Sequence, residues 1–184
     1  MKLRDSNNRY GLVTITNHWV TALIMIGMVI LGLYMADLPK GPDKGNLIDI
    51  HKSFGVLVLM LGVLRLSWRL LNPMPEAVGN AAPWLRKIAR LLHKLLMALI
   101  LLLPLSGWLM SSAGGHPVSF FGQFTLPSLA VENKSVGDLV RDLHELLAWT
   151  LVTLLVLHAG AALKHHFVAR DITLRRMLGV VGDE

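Results

Sequence analysis

The sequence predicts an all-α integral membrane protein built as a four-helix bundle. Of its 184 residues, 53% are hydrophobic and only 16% are charged, whereas a soluble domain has about 25% charged residues. The mean hydropathy is +0.53. Four apolar stretches are each long enough for a helix that crosses a bilayer. These observations exclude a disordered chain, which needs low hydrophobicity, and argue against a soluble enzyme.

The four stretches differ in strength. No charged residue lies between Arg9 and Asp37, so the first span is the clearest. The second has an uncharged core of only residues 53–64, bordered by Lys52 and Arg65. Charges that far inside a span usually mark function. The spans are predicted at about residues 12–36, 50–70, 91–110 and 143–167 of one domain, residues 1–184.

Three connections join the spans. The first, 37–49, is short and rich in Pro and Gly, and the second, 72–83, is rich in Pro. The third, 111–137, is the longest and carries Phe120, Phe121 and Phe124. A loop of that length is usually functional or packed. We expect it to cap one end of the bundle.

The distribution of cations predicts the orientation. With the two termini and the second connection on one side of the membrane, that side holds 13 Lys and Arg residues and the other side holds 5. The positive-inside rule therefore places both termini in the cytoplasm. The net charge of +6 is explained by this topology, so we do not expect nucleic acid as a partner.

The histidines carry the functional signal, because ionisable groups inside a membrane are costly. Helix parity places His18 and His158 near the cytoplasmic ends of the first and fourth spans. It places His51 and His144 near the outer ends of the second and fourth. His144 and His158 are 14 residues apart, so they share one helix face about 21 Å apart along the axis. The pairs His18/His158 and His51/His144 are therefore predicted at two depths.

Two pairs of histidines in an apolar bundle suit two b-type haems. Haem needs axial ligands, an apolar slot between helices and cations for its propionates. Two axial histidines leave no open iron position, which favours electron transfer over oxygen binding. Small residues near the ligands, Gly55 and residues 159–162, leave room for a flat macrocycle. The absence of cysteine excludes iron–sulfur clusters and thiolate zinc sites.

Three further residues are candidates for cofactor binding. Arg65 follows His51 by 14 residues, so it is predicted to face the cytoplasmic-side haem as a propionate partner, as Lys52 would at the outer haem. Both could instead extend to lipid head groups. His165 lies about two turns beyond His158 and could line a quinone pocket or contact head groups.

The other histidines are predicted to have no cofactor role. His93 has no partner at a matching depth in this scheme, and it is interpreted as structural or interfacial. His116 falls in the long outer connection and is expected to be solvated.

Several motifs together resemble the bacterial cytochrome b561 family, and within it the YceJ-like branch. The resemblance covers nearly the whole chain. The motifs are Arg9-Tyr10-Gly11, Asn17-His18-Trp19, residues 47–55, residues 65–69, residues 116–122, His158 with residues 163–166, and residues 171–177.

The resemblance implies a di-haem protein of the bacterial inner membrane that exchanges electrons with quinone. The family's ligand positions match His18, His51, His144 and His158. Some members are linked to superoxide oxidation with ubiquinone reduction. A small periplasmic partner, similar to lipocalin-like isoprenoid-binding proteins, is also implied.

Two alternatives to a quinone-linked electron carrier stay open from the residues. One is a cytochrome b membrane anchor for a separate dehydrogenase. The other is a divalent-metal binding or transport protein, because imidazole and carboxylate groups suit zinc and similar ions. The residues that would form this metal site at the outer level are Asp49, His51, Asp142, His144 and Glu145.

Overall fold

The computed structural model describes residues 2–72, 75 and 82–180, and within them four long helices form the body of the protein. Each is long and apolar enough to cross a membrane. The predicted all-α class and the four membrane-spanning helices are therefore confirmed. The helices are α1 (Leu12–Asp37), α2 (Pro42–Leu71), α3 (Pro83–Ala113) and α4 (Lys134–Lys164).

Three helices extend beyond the apolar spans. Helix α2 begins at Pro42, α3 begins at Pro83 and α4 begins at Lys134, each about two turns earlier than predicted. Proline is well suited to the first position of a helix, where its missing N–H costs nothing. These early turns are polar, so counting apolar residues misses them. Most of the second connection, residues 73–74 and 76–81, lies outside the described residues.

The long connection shortens to residues 114–133 and contains a small β-hairpin. Strand β1 (Val118–Phe120) pairs antiparallel with β2 (Phe124–Leu126). Three residues, 121–123, connect the paired ends of the strands, and the Gln123 N–H donates to the Phe120 carbonyl oxygen at 2.9 Å. Phe121 at φ 47° and Gly122 at φ 72° are the two central residues of this turn, and positive φ values at both are typical of a type I′ turn. The Ser53 hydroxyl on α2 accepts a hydrogen bond from the Phe121 N–H at 3.0 Å. The connection thus covers one end of the bundle, here called the hairpin end.

The opposite end, here called the terminal end, contains residues 2–11 and residues 165–180. After α4 the chain forms one π-helical turn over His165–Ala169 and a short helix, α5 (Thr173–Met177). The Trp19 indole N–H donates to the Met177 carbonyl oxygen at 2.8 Å. At the N-terminus, the Asp5 carboxylate accepts from the Gly11 N–H at 2.6 Å and from the Thr14 hydroxyl at 2.7 Å.

Helix packing leaves two interfaces open. Helix α1 packs on α2, α2 on α3 and α3 on α4, whereas α4 has at most a few close backbone contacts with α1 or α2 among the described residues. The small core that the helices share consists of Met25, Val58, Leu99, Ile100, Leu103 and Leu151. Many other large apolar side chains face outward, such as Leu23 at 66% exposure and Ile30 at 63%. Lipid solvates such a surface, so the protein needs no larger core.

Candidate functional site

The hairpin-end histidines come together as their depths predict. The ring centres of His51 on α2 and His144 on α4 are 6.4 Å apart, and the rings are nearly perpendicular at 76°. Two glycines let neighbouring helices approach these rings. A Cβ at Gly32 would lie 3.4 Å from His51 Cε1, and a Cβ at Gly107 would lie 3.3 Å from His144 Cε1.

The two hairpin-end rings differ in their hydrogen bonds. Nδ1 of His144 lies 2.8 Å from the hydroxyl of Ser106 on α3. Nδ1 of His51 is buried and has no hydrogen-bond partner among the described residues. Reasoning from the sequence missed Ser106, because no motif marks a serine that contacts a histidine 38 residues away.

The terminal-end histidines form a second pair with nearly the same spacing. The ring centres of His18 on α1 and His158 on α4 are 6.3 Å apart at 64°. The Trp19 ring packs edge-on against His18 at 5.3 Å. Both histidine pairs therefore bridge helix pairs that are not closely packed against each other, α1 with α4 and α2 with α4.

His93 lies beside the terminal-end pair, which corrects the expectation that it has no partner at its depth. Its ring centre is 5.2 Å from that of His158. The expectation was wrong because α3 begins at Pro83, so His93 is well inside the helix rather than near its start. The position of His93 beside His158 could not be predicted from the apolar spans alone.

Arg65 reaches the same site from α2, as the 14-residue spacing predicts. Its Nη2 lies 2.8 Å from Nδ1 of His18. Of the described residues, none places a carboxylate within ion-pair distance of Arg65. The terminal-end site thus holds a half-buried cation beside His18, whose ring belongs to a group of three imidazoles with His158 and His93.

The spacing of each histidine pair fits haem iron. Two imidazoles on opposite sides of one iron place their ring centres roughly 6.3 Å apart, because each metal–nitrogen bond is about 2 Å and each ring centre lies about 1.15 Å further on. The pairs at 6.4 and 6.3 Å match this spacing. The His93–His158 distance of 5.2 Å is too short for it. The donor set, two neutral nitrogens per site in an apolar bundle, also suits b-type haem.

The site for a divalent metal finds less support. Within residues 2–72, 75 and 82–180, no three or more His, Asp or Glu side chains are grouped so that they could hold a metal ion. Asp49 instead lies 3.6 Å from the Lys52 ammonium group, as an ion pair on one face of α2.

Lys52 and His165 each contact another part of the chain. The Lys52 ammonium group donates to the Pro117 carbonyl oxygen at 3.1 Å, which ties α2 to the hairpin. Nδ1 of His165 lies 2.6 Å from the Asp171 carboxylate. Burial alone would raise the pKa of Asp171, but hydrogen bonds from Thr173 and His165 outweigh it and hold that pKa below its ordinary value.

Comparisons with known proteins indicate one family. The model of a family described as prokaryotic cytochrome b561 matches residues 9–180. The chain is 38% identical to cytochrome b561 homolog 2 of Escherichia coli K12, over 97% of this chain and 96% of the relative. It is 31% identical to cytochrome b561 homolog 1 of the same strain, over 93% and 97%. It is also 28% identical to a probable superoxide oxidase, CybB, of Yersinia pestis, over 94% and 97%.

Proposed function

We propose a function for this chain from one premise: the chain belongs to the prokaryotic cytochrome b561 family. It is accordingly a bacterial membrane protein of electron transfer, surrounded by lipid, whose family implies b-type haem. The proposal concerns the number of haems, their ligands and the redox partners.

We infer that the chain binds two haem b groups, one at each end of the bundle. His51 and His144 would be the axial ligands at the hairpin end, and His18 and His158 those at the terminal end. The observation that carries this inference is the equal spacing of the two pairs, 6.4 and 6.3 Å between ring centres. Each pair also bridges two helices that leave space between them.

The chain's own residues restrict the chemistry to electron transfer. Bound haem supplies an iron centre that gains and loses one electron. With two histidines per site as its ligands, the iron would have no open position for oxygen or other small ligands. His144 and His158 are about 21 Å apart along α4, so the two proposed sites would lie at different depths in the membrane. An electron can therefore pass from one side of the bilayer to the other.

Arg65 would change partner when haem is bound. A guanidinium group only donates hydrogen bonds, so its 2.8 Å contact requires that His18 Nδ1 carries no proton. A neutral imidazole that binds metal through Nε2 carries its proton on Nδ1. Binding of haem through Nε2 of His18 would therefore release Arg65, whose guanidinium group could then pair with a haem propionate. Lys52 is the corresponding cation at the hairpin end.

We further propose that quinone exchanges electrons at the terminal end. Reduction of a quinone to quinol takes two electrons and two protons, so the site needs groups that can pass protons. His93, 5.2 Å from His158, and His165, 2.6 Å from Asp171, are titratable groups at this end that are not among the proposed haem ligands. The excess of Lys and Arg at this end supports a cytoplasmic position for it under the positive-inside rule.

The quinone site is tested with His93→Leu and His165→Leu, and with His116→Leu as a control in the hairpin-end loop. Quinol-driven haem reduction is measured for each purified variant. We expect a slower rate or weaker quinol affinity in at least one of the first two variants. The control variant should show no change in either quantity. Unchanged kinetics in both would remove the proposed terminal-end pocket.

Superoxide is the electron donor that we propose to test first, because a relative at 28% identity bears the name superoxide oxidase. Oxidation of two superoxide anions releases two O₂ and supplies the two electrons for one quinone. Superoxide generated in solution should then reduce the haems of the purified protein. Haems that stay oxidised under these conditions would exclude this donor.

The experiment that decides the main proposal is an absorption spectrum of the detergent-purified protein, oxidised and then reduced with dithionite. We expect the Soret and α bands of low-spin haem b, and a pyridine haemochrome assay should return two haems per chain. A ratio of one would leave only one pair as a haem site. Absence of a Soret band after expression with sufficient haem would overturn the proposal.

A further inference from the structure

Ser106 is a buried serine whose hydroxyl joins two groups at the hairpin-end site. Its side chain lies on α3 and is 7% exposed. The hydroxyl oxygen is 2.8 Å from the Leu103 carbonyl oxygen and also 2.8 Å from Nδ1 of His144. Both are ordinary hydrogen-bond distances.

Counting protons assigns a direction to each bond. A serine hydroxyl has one proton and two lone pairs, and a carbonyl oxygen can only accept. The hydroxyl must therefore donate to Leu103 if that contact is a hydrogen bond. The Ser106 oxygen is then the acceptor toward His144, so the proton lies on Nδ1 of the ring. This is the one arrangement that satisfies both contacts.

The Nδ1–H tautomer leaves the Nε2 lone pair of His144 available to a metal. The next residue of α3, Gly107, also lies close to the ring, since a Cβ at this position would be 3.3 Å from His144 Cε1. Helix α3 thus touches the ring at two successive residues. His51 has no such partner for Nδ1 in the described part of the chain, and His18 has a cationic donor instead.

We propose that Ser106 is a positioning residue that sets the tautomer and basicity of His144. The proposal rests on the proposed function, in which His144 is an axial ligand. A ligating histidine that donates its second N–H to an acceptor becomes a stronger electron donor to the metal. Stronger donation favours ferric iron, so the hydroxyl of Ser106 should lower the midpoint potential of the hairpin-end haem.

The test introduces Ser106→Ala into two variants, each of which should retain only one of the two haems. In a His18→Ala background, which should keep only the hairpin-end haem, Ser106→Ala is expected to raise the midpoint potential. It should also shift the low-spin ferric EPR signal. In a His51→Ala background, which should keep only the terminal-end haem, Ser106→Ala should change neither.

Two further variants separate positioning from simple packing. Ser106→Thr restores a hydroxyl that can bond the same carbonyl, so it should return the potential toward the original value. Ser111→Ala removes another buried serine of α3, whose hydroxyl contacts the His116 carbonyl oxygen, and it should leave the potential unchanged. If Ser106→Ala loses the haem, the threonine variant decides: retention of haem at the original potential supports the role.

The inference is overturned if Ser106→Ala leaves the hairpin-end potential and EPR signal unchanged. It is also overturned if the alanine and threonine variants behave alike, or if the shift appears at the terminal-end haem. These outcomes differ from a failure of the proposed function. In that case His144→Ala would retain both haems, or the unaltered protein would bind none.

Discussion

The two histidine pairs have nearly equal spacing but different electrostatic surroundings. At the hairpin end, a neutral serine hydroxyl contacts His144, and the nearby cation, Lys52, is paired with Asp49. At the terminal end, Arg65 contacts His18, and no carboxylate of the described residues neutralises it. One fold therefore holds two histidine pairs of similar spacing in different electrostatic surroundings.

This difference has a direct consequence for electron flow. A positive charge stabilises the reduced state of a nearby redox centre, and a serine oxygen that accepts a hydrogen bond from a ligating histidine stabilises the oxidised state. With a haem at each pair, as proposed, both effects would make the terminal-end haem the stronger electron acceptor. Electrons that enter at the hairpin end would run downhill toward the terminal end.

The largest effect is expected when the ligand pairs are broken. His51→Ala and His144→Ala should each lose the hairpin-end haem, and His18→Ala and His158→Ala the terminal-end haem, because each iron needs both ligands. Haem content should fall from two to about one per chain, since the sites share no ligand. The stability of the protein should also fall, since haem binding favours the folded state.

Spectra and redox titrations measure which haem remains. The two members of a pair should leave the same residual signal, and the two pairs should leave different ones. His116→Ala in the exposed loop is the control and should keep both haems. Equal residual spectra from His18→Ala and His51→Ala would show that the pairs are assigned wrongly.

The next largest effect concerns the charge of Arg65. Arg65→Met should lower the midpoint potential of the terminal-end haem on the order of 50 mV, the size expected for one partly screened charge at close range. Arg65→Lys should retain most of the original potential because it keeps the charge. A potentiometric titration resolves the two haems, and an equal shift of both would contradict the local effect.

A smaller effect is expected from filling the space beside a ligand. Gly107→Ala and Gly32→Ala place a methyl group 3.3 and 3.4 Å from a ring carbon of His144 and His51, so both should weaken haem binding at the hairpin end. Gly27→Ala meets nothing within 4 Å and is the matched control. It should stabilise α1 by about 1 kcal/mol through helix propensity alone. The measurement is the fraction of haem that each of the three glycine variants retains during thermal unfolding.

The smallest effect concerns the hydrogen bond between His165 and Asp171 in the C-terminal turn. The pKa of Asp171 is below its ordinary value, so its carboxylate stabilises the folded state above the unfolded pKa. That contribution is lost as the pH falls through the lower folded value. Asp171→Asn should therefore reduce stability at neutral pH by less than about 1 kcal/mol. Thermal unfolding compares the unaltered protein with Asp171→Asn at neutral pH and below about pH 4. The difference in their stability should disappear at the acid pH.

Reasoning from the sequence worked best where a single helix decides the outcome. The 14-residue spacing of His144 and His158 puts them on one face of α4 whatever surrounds it, because helical geometry is local. The same holds for the depth of Arg65 relative to His51. The apolar spans were found for a similar reason, since bilayer thickness dictates their length.

Reasoning from the sequence failed where a helix continues into polar residues or meets another helix. The position of His93 was misjudged because α3 extends two turns before its apolar stretch. Polar turns at a membrane surface carry no hydropathy signal. The Ser106 contact was missed because it depends on how α3 is rotated against α4.

By itself, the sequence determined the class of protein, the four spans, the two levels of histidine and the family resemblance. Each follows from composition, local helical periodicity or a short motif. Only the tertiary structure decided that His93 joins the terminal-end rings, that Ser106 contacts His144 and that Arg65 contacts His18. These contacts depend on the rotation and closeness of packed helices. Such packing is set by small residues like Gly107, whose effect appears only when a neighbouring helix is in place.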